Sequence, residues 1–364
     1  MKWAPKLLCA VALLSCGDDD AAIDASLPDA APDGTTMCTA RTPAERPDPG
    51  LCAALATDYA RCEDDLWGPC VSDFGTYARI QPSISSIARV GAFEAIAPLL
   101  FDYSADATAE TFLEARGIYQ EDEGLDSRVV RRFDPRADAP DGTDCTLDGV
   151  PAMFPEFCVG PALLQPLLLD AFAAGSAGDR PRVQAAKIEA GLLWFFYASV
   201  AKESLTCTTA AKDCDSAYAY YTGGAEARGG VGLGGRVQDV DAYAHDRVWD
   251  GILALRCWRD LDDSDVAEDL ALRERARNQL DRAVTDGLAA VLVERLGRID
   301  GAPAEAAAAH WAFSRVLGQA LDRPLTQRDA EAAATVRLAF EAETPDGSAI
   351  ATVVDALRST FDCP

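Results

Sequence analysis

Two glutamates lie on the apolar stripe of a predicted helix over residues 183–204. At about 100° per residue, Phe196 and Glu203 fall within roughly 60° of Glu189. A carboxylate on such a face either protonates or finds a partner, such as an arginine, a histidine or a metal ion. The sequence therefore leaves open a structural Glu–Arg pair and a ligand or metal site. The two glutamates cannot form one catalytic dyad, because 14 residues of helix separate them by about 21 Å.

A histidine with a carboxylate one turn away follows on the next long predicted helix, residues 242–260. Asp241 precedes His245 by four residues, and Arg256 shares the same inward side. Imidazole and carboxylate together suit iron and similar metals. The pattern therefore leaves a metal site open, with iron as the leading cofactor hypothesis. Its candidate ligands are Glu189, Glu203, Asp241 and His245. The competing interpretation is a buried structural His245, with Arg256 as the partner of a glutamate.

The second and last histidine, His310, shares a helix face with Phe313 and Leu317. We expect His310 to be a core histidine, or to support a ligand site if both histidines converge on the helix that carries Glu189 and Glu203. The duplicated Glu-x-x-His motif of di-iron bundles is missing. So are the Gly-x-Ser-x-Gly and His-Glu-x-x-His motifs of hydrolases and zinc proteases. The sequence contains no recognisable catalytic motif, and we expect a protein that is not an enzyme.

An acidic and aromatic segment, Asp213 to Gly224, separates the two long helices, and a glycine run over residues 229–235 follows it. Asp215, Tyr220 and Tyr221 could line the mouth of a site, or an aspartate could cap a helix. The glycines lack the strand and the Lys-Ser/Thr pair of a phosphate-binding loop, so we expect a mobile loop.

Asp215 and the run from Ala217 to Gly223 resemble the acidic, aromatic and glycine motif of algal periplasmic iron-assimilation proteins that are induced by low iron. The resemblance covers about ten residues and the general all-helical, exported character. It implies extracellular iron capture and assigns no individual ligand. The GxHxxE motif of imelysin-like lipoproteins is missing, and no site is carried over from that family.

The elements that position these residues are predicted to be helices, because apolar residues recur at spacings of three and four. The predicted helices cover residues 84–101, 111–119, 161–174, 183–204, 242–260, 266–297, 303–321, 327–341 and 348–361. Alternating strand patterns are scarce. We expect one all-α domain over residues 50–364, resembling a helix bundle, with a possible subdivision near residues 135–160.

The first residues have the pattern of a bacterial lipoprotein signal peptide. Lys2 and Lys6 precede a short apolar run, and Leu13, Ser15 and Cys16 stand where such signals place a leucine, a small residue and the lipidated cysteine. We therefore expect a signal peptide over residues 1–15 and a membrane anchor on Cys16. Gly17 is not the aspartate that retains some lipoproteins at the inner membrane, so the bacterial outer membrane is favoured.

The cysteine count agrees with export. Of the 12 cysteines, one belongs to the signal peptide and one to the lipid anchor, which leaves an even number for disulfides in an oxidising compartment. Short separations favour two local pairs, Cys145 with Cys158 and Cys207 with Cys214. Cys257 and Cys363 are candidates for tying the end of the chain to the core.

The chain carries 33 basic and 59 acidic residues, a net charge of −26. Such a charge argues against nucleic acid as a partner, because binding to its backbone needs clustered lysines and arginines. Residues 16–49 are rich in aspartate, alanine and proline, and we expect a disordered acidic tether. The sequence as a whole predicts a lipid-anchored envelope protein. Two functions stay open, namely capture of iron or another cation, and a structural or interaction role with an envelope protein as partner.

Overall fold

The computed structural model describes residues 52–60, 62, 67–121, 124–361 and 363. The predicted signal peptide, Cys16 and the predicted tether lie outside these residues. The described part of the chain contains thirteen α-helices and no β-strand, which confirms the all-α prediction. The helices are α1 (Ser86–Leu100), α2 (Ala109–Gln120), α3 (Asp126–Val129), α4 (Val150–Met153), α5 (Gln165–Ser176), α6 (Pro181–Thr206), α7 (Lys212–Thr222), α8 (Leu233–Val240), α9 (Ala242–Leu261), α10 (Leu270–Gly297), α11 (Ala304–Arg328), α12 (Ala330–Phe340) and α13 (Gly347–Thr360). A 3₁₀ turn at Val71–Phe74 and a π-helical turn at Gly160–Leu164 complete the regular structure.

The central element is α6, and 20 of its 26 residues are buried. A helix that is apolar on all sides must be surrounded by other helices. Accordingly, α6 packs against α5, α7, α10 and α11, while α9 and α10 form the other closely packed pair. Fully buried aromatic side chains such as Phe195, Phe196 and Tyr197 fill the space between them.

Aspartates cap the N-termini of four later helices. Asp241 accepts hydrogen bonds from the backbone N–H groups of Tyr243 and Ala244 at the start of α9. Asp269, Asp329 and Asp346 do the same for α10, α12 and α13. Each such cap satisfies N–H groups that have no partner within the helix.

The predicted break between the helices over residues 303–321 and 327–341 is displaced. The structure continues α11 through Pro324 to Arg328, and the turn between α11 and α12 falls at Asp329. A proline inside a helix removes one hydrogen bond without always ending the helix. The capping carboxylate of Asp329 therefore marks the boundary.

Four disulfides connect the described residues. Both local pairs expected from the sequence, Cys145–Cys158 and Cys207–Cys214, are present. The two long-range bridges join Cys52 to Cys363 and Cys70 to Cys257. Cys257 and Cys363 therefore each form a disulfide with a cysteine in the N-terminal part of the domain, and they do not pair with one another. The ten cysteines that remain after Cys9 and Cys16 allow a fifth bridge, which would need Cys38, and that residue lies outside the described residues.

No helix in the described part of the chain is long and apolar enough to cross a membrane.

Candidate functional site

The inward carboxylate of Glu189 lies at a cavity of about 370 Å³. Five elements meet there: the segment after α1, then α6, α8, α10 and α11. They supply Tyr103, Glu189, Arg236, Arg295 and His310 to its wall. We call this space the glutamate cavity. Two residues predicted from the sequence, Glu189 and His310, therefore share one site.

Glu189 is 1% exposed and is surrounded by donors. The guanidinium of Arg295 donates to Oε2 across 3.1 Å, and Nε of Arg236 lies 3.1 Å from Oε1. The hydroxyl of Tyr103 also donates to Oε2. The structural Glu–Arg pair that the sequence left open is present, but its arginines come from α8 and α10 and do not include Arg256.

The guanidinium groups of Arg236 and Arg295 face the single buried carboxylate of Glu189, and the exposed Asp102 also lines the cavity. The plane of Arg295 lies over the ring of Phe313, with 3.9 Å to its centroid, and this contact fixes its position. A third arginine, Arg298, stands at the mouth, where it pairs with Glu294. Burial and the neighbouring Glu189 raise the pKa of Tyr103 well above its usual value, so this phenol stays a neutral donor.

His310 lies against the edge of the Tyr103 ring, with 5.6 Å between the centroids. His310 is 8% exposed. Its Nδ1 has no hydrogen-bond partner among the described residues. Burial, and then the charges of Arg295 and Arg298, lower the pKa of His310 to about 4. The imidazole is therefore neutral near pH 7, with one nitrogen able to accept and one able to donate.

Glu203 belongs to a separate network at the far end of α6. Arg132 donates to it across 2.9 Å and Lys202 across 3.0 Å. Arg132 also donates to the hydroxyl of Tyr220 and lies over its ring. Tyr220 is therefore part of a closed structural cluster. The prediction that it lines the mouth of a ligand site is wrong.

Asp241 and His245 stand at the start of α9. Asp241 is the cap of this helix, as described above. Nδ1 of His245 is 3.1 Å from the hydroxyl of Tyr221, and the two rings stack. The three residues thus hold α7 and α9 together, and Tyr221 does not line the mouth of a site.

Asp215 and Arg256 hold a loop in place. Asp215 is fully buried and accepts from the backbone N–H groups of Ile80 and Gln81, while Arg256 donates to the carbonyl of Ala78 across 2.6 Å. Burial raises the pKa of the Asp215 carboxyl, and these hydrogen bonds offset part of that rise. The supporting roles predicted for both residues at a ligand site are replaced by structural ones.

The glycine run packs closely against its neighbours. A Cβ on Gly232 would approach Val90 to 2.7 Å, and one on Gly234 would approach the Tyr221 carbonyl to 2.6 Å. Gly232 also has a positive φ of 64° and precedes α8. These glycines allow close contact and bring Arg236 to the glutamate cavity, which differs from the expected mobile loop.

The four candidate metal ligands lie in three separate parts of the structure. No group of three or more His, Cys, Asp or Glu side chains that could hold a metal ion occurs among the residues that the structure describes. The expected shared site of Glu189, Glu203, Asp241 and His245 is therefore not formed.

Sequence reasoning missed Tyr103, Arg236 and Arg295. A signal existed for Arg295, because it follows Leu288 and Leu292 at spacings of seven and three and so falls on the apolar stripe of α10. Tyr103 and Arg236 reach the cavity through tertiary packing, and no local spacing indicates them.

Comparison with known proteins finds no matching family model, no matching curated protein and no matching solved structure.

Proposed function

We propose that this chain is a lipid-anchored binding protein of the bacterial envelope, attached through Cys16, and that its helical domain binds a small carboxylate or phosphate anion in the glutamate cavity. One observation carries the proposal. Two guanidinium groups face one buried carboxylate, next to a neutral histidine whose Nδ1 has no partner in the described structure.

The charge of this cavity favours an anion over a cation. A buried carboxylate would attract a metal ion only if its charge were uncompensated, and Glu189 already faces two arginines. The net charge of −26 opposes anions at long range. However, salt screens that field over about 8 Å at physiological ionic strength, so the nearby arginines dominate inside the cavity.

The cavity also has the donors that an oxyanion needs. The terminal nitrogens of Arg236 have no acceptor among the described residues, and its side chain is 33% exposed, so they are accessible. A guanidinium binds a carboxylate or a phosphate through two parallel hydrogen bonds. A volume of about 370 Å³ suits a small molecule. His310 would complete the set through its unpartnered nitrogen.

Calorimetric titration of the full chain carrying Cys16→Ser tests this proposal, since that variant cannot receive a lipid. The probes are succinate and inorganic phosphate, with neutral succinamide as the matched control. We expect saturable 1:1 binding of at least one anion, a loss of about tenfold or more in Arg236→Gln, and no binding of succinamide. Arg315→Gln, which removes an arginine outside the cavity, should bind normally.

Two results would overturn the proposal. One is equal affinity in Arg236→Gln and the parent chain. The other is failure of both anions to bind below about 10 mM. Elemental analysis after dialysis against iron, zinc, manganese and calcium adds an independent arm. One retained metal per chain, lost in Glu189→Ala, would restore cation capture as the function.

A structural or interaction role in the envelope is the second candidate. The closed network of Glu203, Arg132 and Lys202 supports it, because such a network leaves no ligand position at that end of α6. The same titrations separate the candidates: a folded chain that binds neither an anion nor a metal favours the interaction role.

A further inference from the structure

A second and larger cavity, of about 410 Å³, lies on the opposite side of α11 from His310 and is bounded also by α6, α12 and the segment around the π-helical turn. We call it the tryptophan cavity, because Trp194 forms part of its wall. It shares no lining residue with the glutamate cavity.

The floor of the tryptophan cavity is apolar. Trp194 is 5% exposed, Val336 3% and Val159 1%, so little of each side chain reaches solvent. The ring of Phe340 closes one side by lying directly on α11, where a Cβ on Gly318 would approach it to 2.3 Å. Such a surface gains free energy when an apolar group replaces water.

The charges around this floor are equal in number but only partly paired. Arg136 pairs with Asp134 and Arg337 pairs with Asp322, each across 2.8 Å. Two further half-buried arginines of α11 line the cavity, Arg315 and Arg323, and neither has a carboxylate partner within the described part of the chain. Two exposed acids, Glu156 and Glu341, stand at the rim.

The two arginines differ in their surroundings. They are eight residues apart, about 12 Å along the helix axis, so they mark opposite ends of the cavity. Lys187 does not line the cavity, but burial, and then the charges of Arg315 and Arg180, lower the pKa of its ammonium, and Asp179 and Asp170 offset part of that decrease. At the other end burial raises the pKa of the Asp322 carboxyl, Arg337 offsets part of that rise, and the charge of Glu156 adds to it.

We propose that the tryptophan cavity binds an amphipathic anion, with its apolar body on the Trp194 floor and its charged head on Arg315. The ligand class is a medium-chain or aryl carboxylate. This inference is independent of the anion site at Glu189, because it depends on different residues and on an apolar ligand body.

Equilibrium dialysis of the full chain carrying Cys16→Ser tests it, with octanoate as the probe and neutral 1-octanol as its matched control. We expect one saturable octanoate site that binds octanoate about tenfold or more tightly than octanol. Arg315→Gln should weaken octanoate binding about tenfold. Arg323→Gln in the same cavity and Arg236→Gln in the glutamate cavity should change it less than about twofold.

Three outcomes would overturn the inference. Octanol binding as tightly as octanoate would show that no charge is recognised. Equal losses in Arg315→Gln and Arg323→Gln would show a diffuse charge effect. An absence of saturable binding below about 1 mM, in a chain with a normal thermal melt, would show that this cavity is not a site for this class. Since succinate has no apolar body, its titration reports separately on the glutamate cavity.

Discussion

The guanidinium of Arg295 lies 3.1 Å from the carboxylate of Glu189, at a place where the two side chains are only 7% and 1% exposed. This pair joins α10 to α6, 106 residues apart in sequence. It also gives the inward carboxylate of Glu189 a positive partner on an otherwise apolar helix face. The charge that Glu189 brings inside is more than balanced by Arg295 and Arg236.

The first prediction concerns Glu189→Gln. The substitution keeps the shape of the side chain but leaves two arginines facing an uncharged amide, and breaking a buried ion pair from one side costs about 3 kcal/mol or more. We expect the free energy of unfolding in guanidinium to fall by that amount. Glu305→Gln removes the exposed partner of Arg180 and serves as the control, with an expected change below about 1 kcal/mol. Equal changes in the two variants would contradict the buried-pair account.

The helices themselves were largely predictable from sequence. Periodicity predicted nine of the thirteen described helices, and the inward position of Glu189 followed from the same pattern. The partner of Glu189 was not predictable, because nothing in local spacing relates α6 to α8 and α10. Four helices were missed. Two, α3 and α4, have only four residues each, and the Tyr-rich α7 and Gly-rich α8 have weak helix propensity.

The second prediction concerns acid. The pKa of His310 is lowered to about 4, whereas an unfolded histidine titrates near 6.5. Between these values the unfolded state binds more protons, so the free energy of unfolding should fall as pH drops from about 6.5 towards 4. Denaturant midpoints measured at several pH values check this. His310→Gln should show a weaker decline over that window, and an unchanged slope would exclude His310 as its source.

The third prediction concerns the long-range disulfide. Cys52 and Cys363 are 311 residues apart, and Cys207 and Cys214 only seven. If cross-links act mainly by restricting the unfolded chain, loss of the long bridge costs about 5–6 kcal/mol and loss of the short one about 2 kcal/mol. Paired Cys→Ser variants, compared by guanidinium unfolding, test the order. A greater loss from the short bridge would show that local native geometry dominates.

The fourth prediction concerns the membrane anchor. We expect the chain expressed in a bacterial host to partition into the detergent phase and to carry a lipid mass on Cys16. Cys16→Ser should move to the aqueous phase, since the lipid supplies the apolar area that holds the chain at a bilayer. Detergent-phase partitioning that survives in Cys16→Ser, with no lipid mass on the parent chain, would contradict lipid anchoring.

The central claim is that an anion enters the glutamate cavity beside His310. Proton NMR tests it most directly, because the chain has only 2 histidines and His245→Gln distinguishes their ring signals. We predict that succinate or phosphate shifts the His310 signal saturably and raises the pKa of His310, since a nearby anion favours the imidazolium. The His245 signal should not move. A His310 signal that is unchanged by both anions, or that moves together with His245, would contradict the claim.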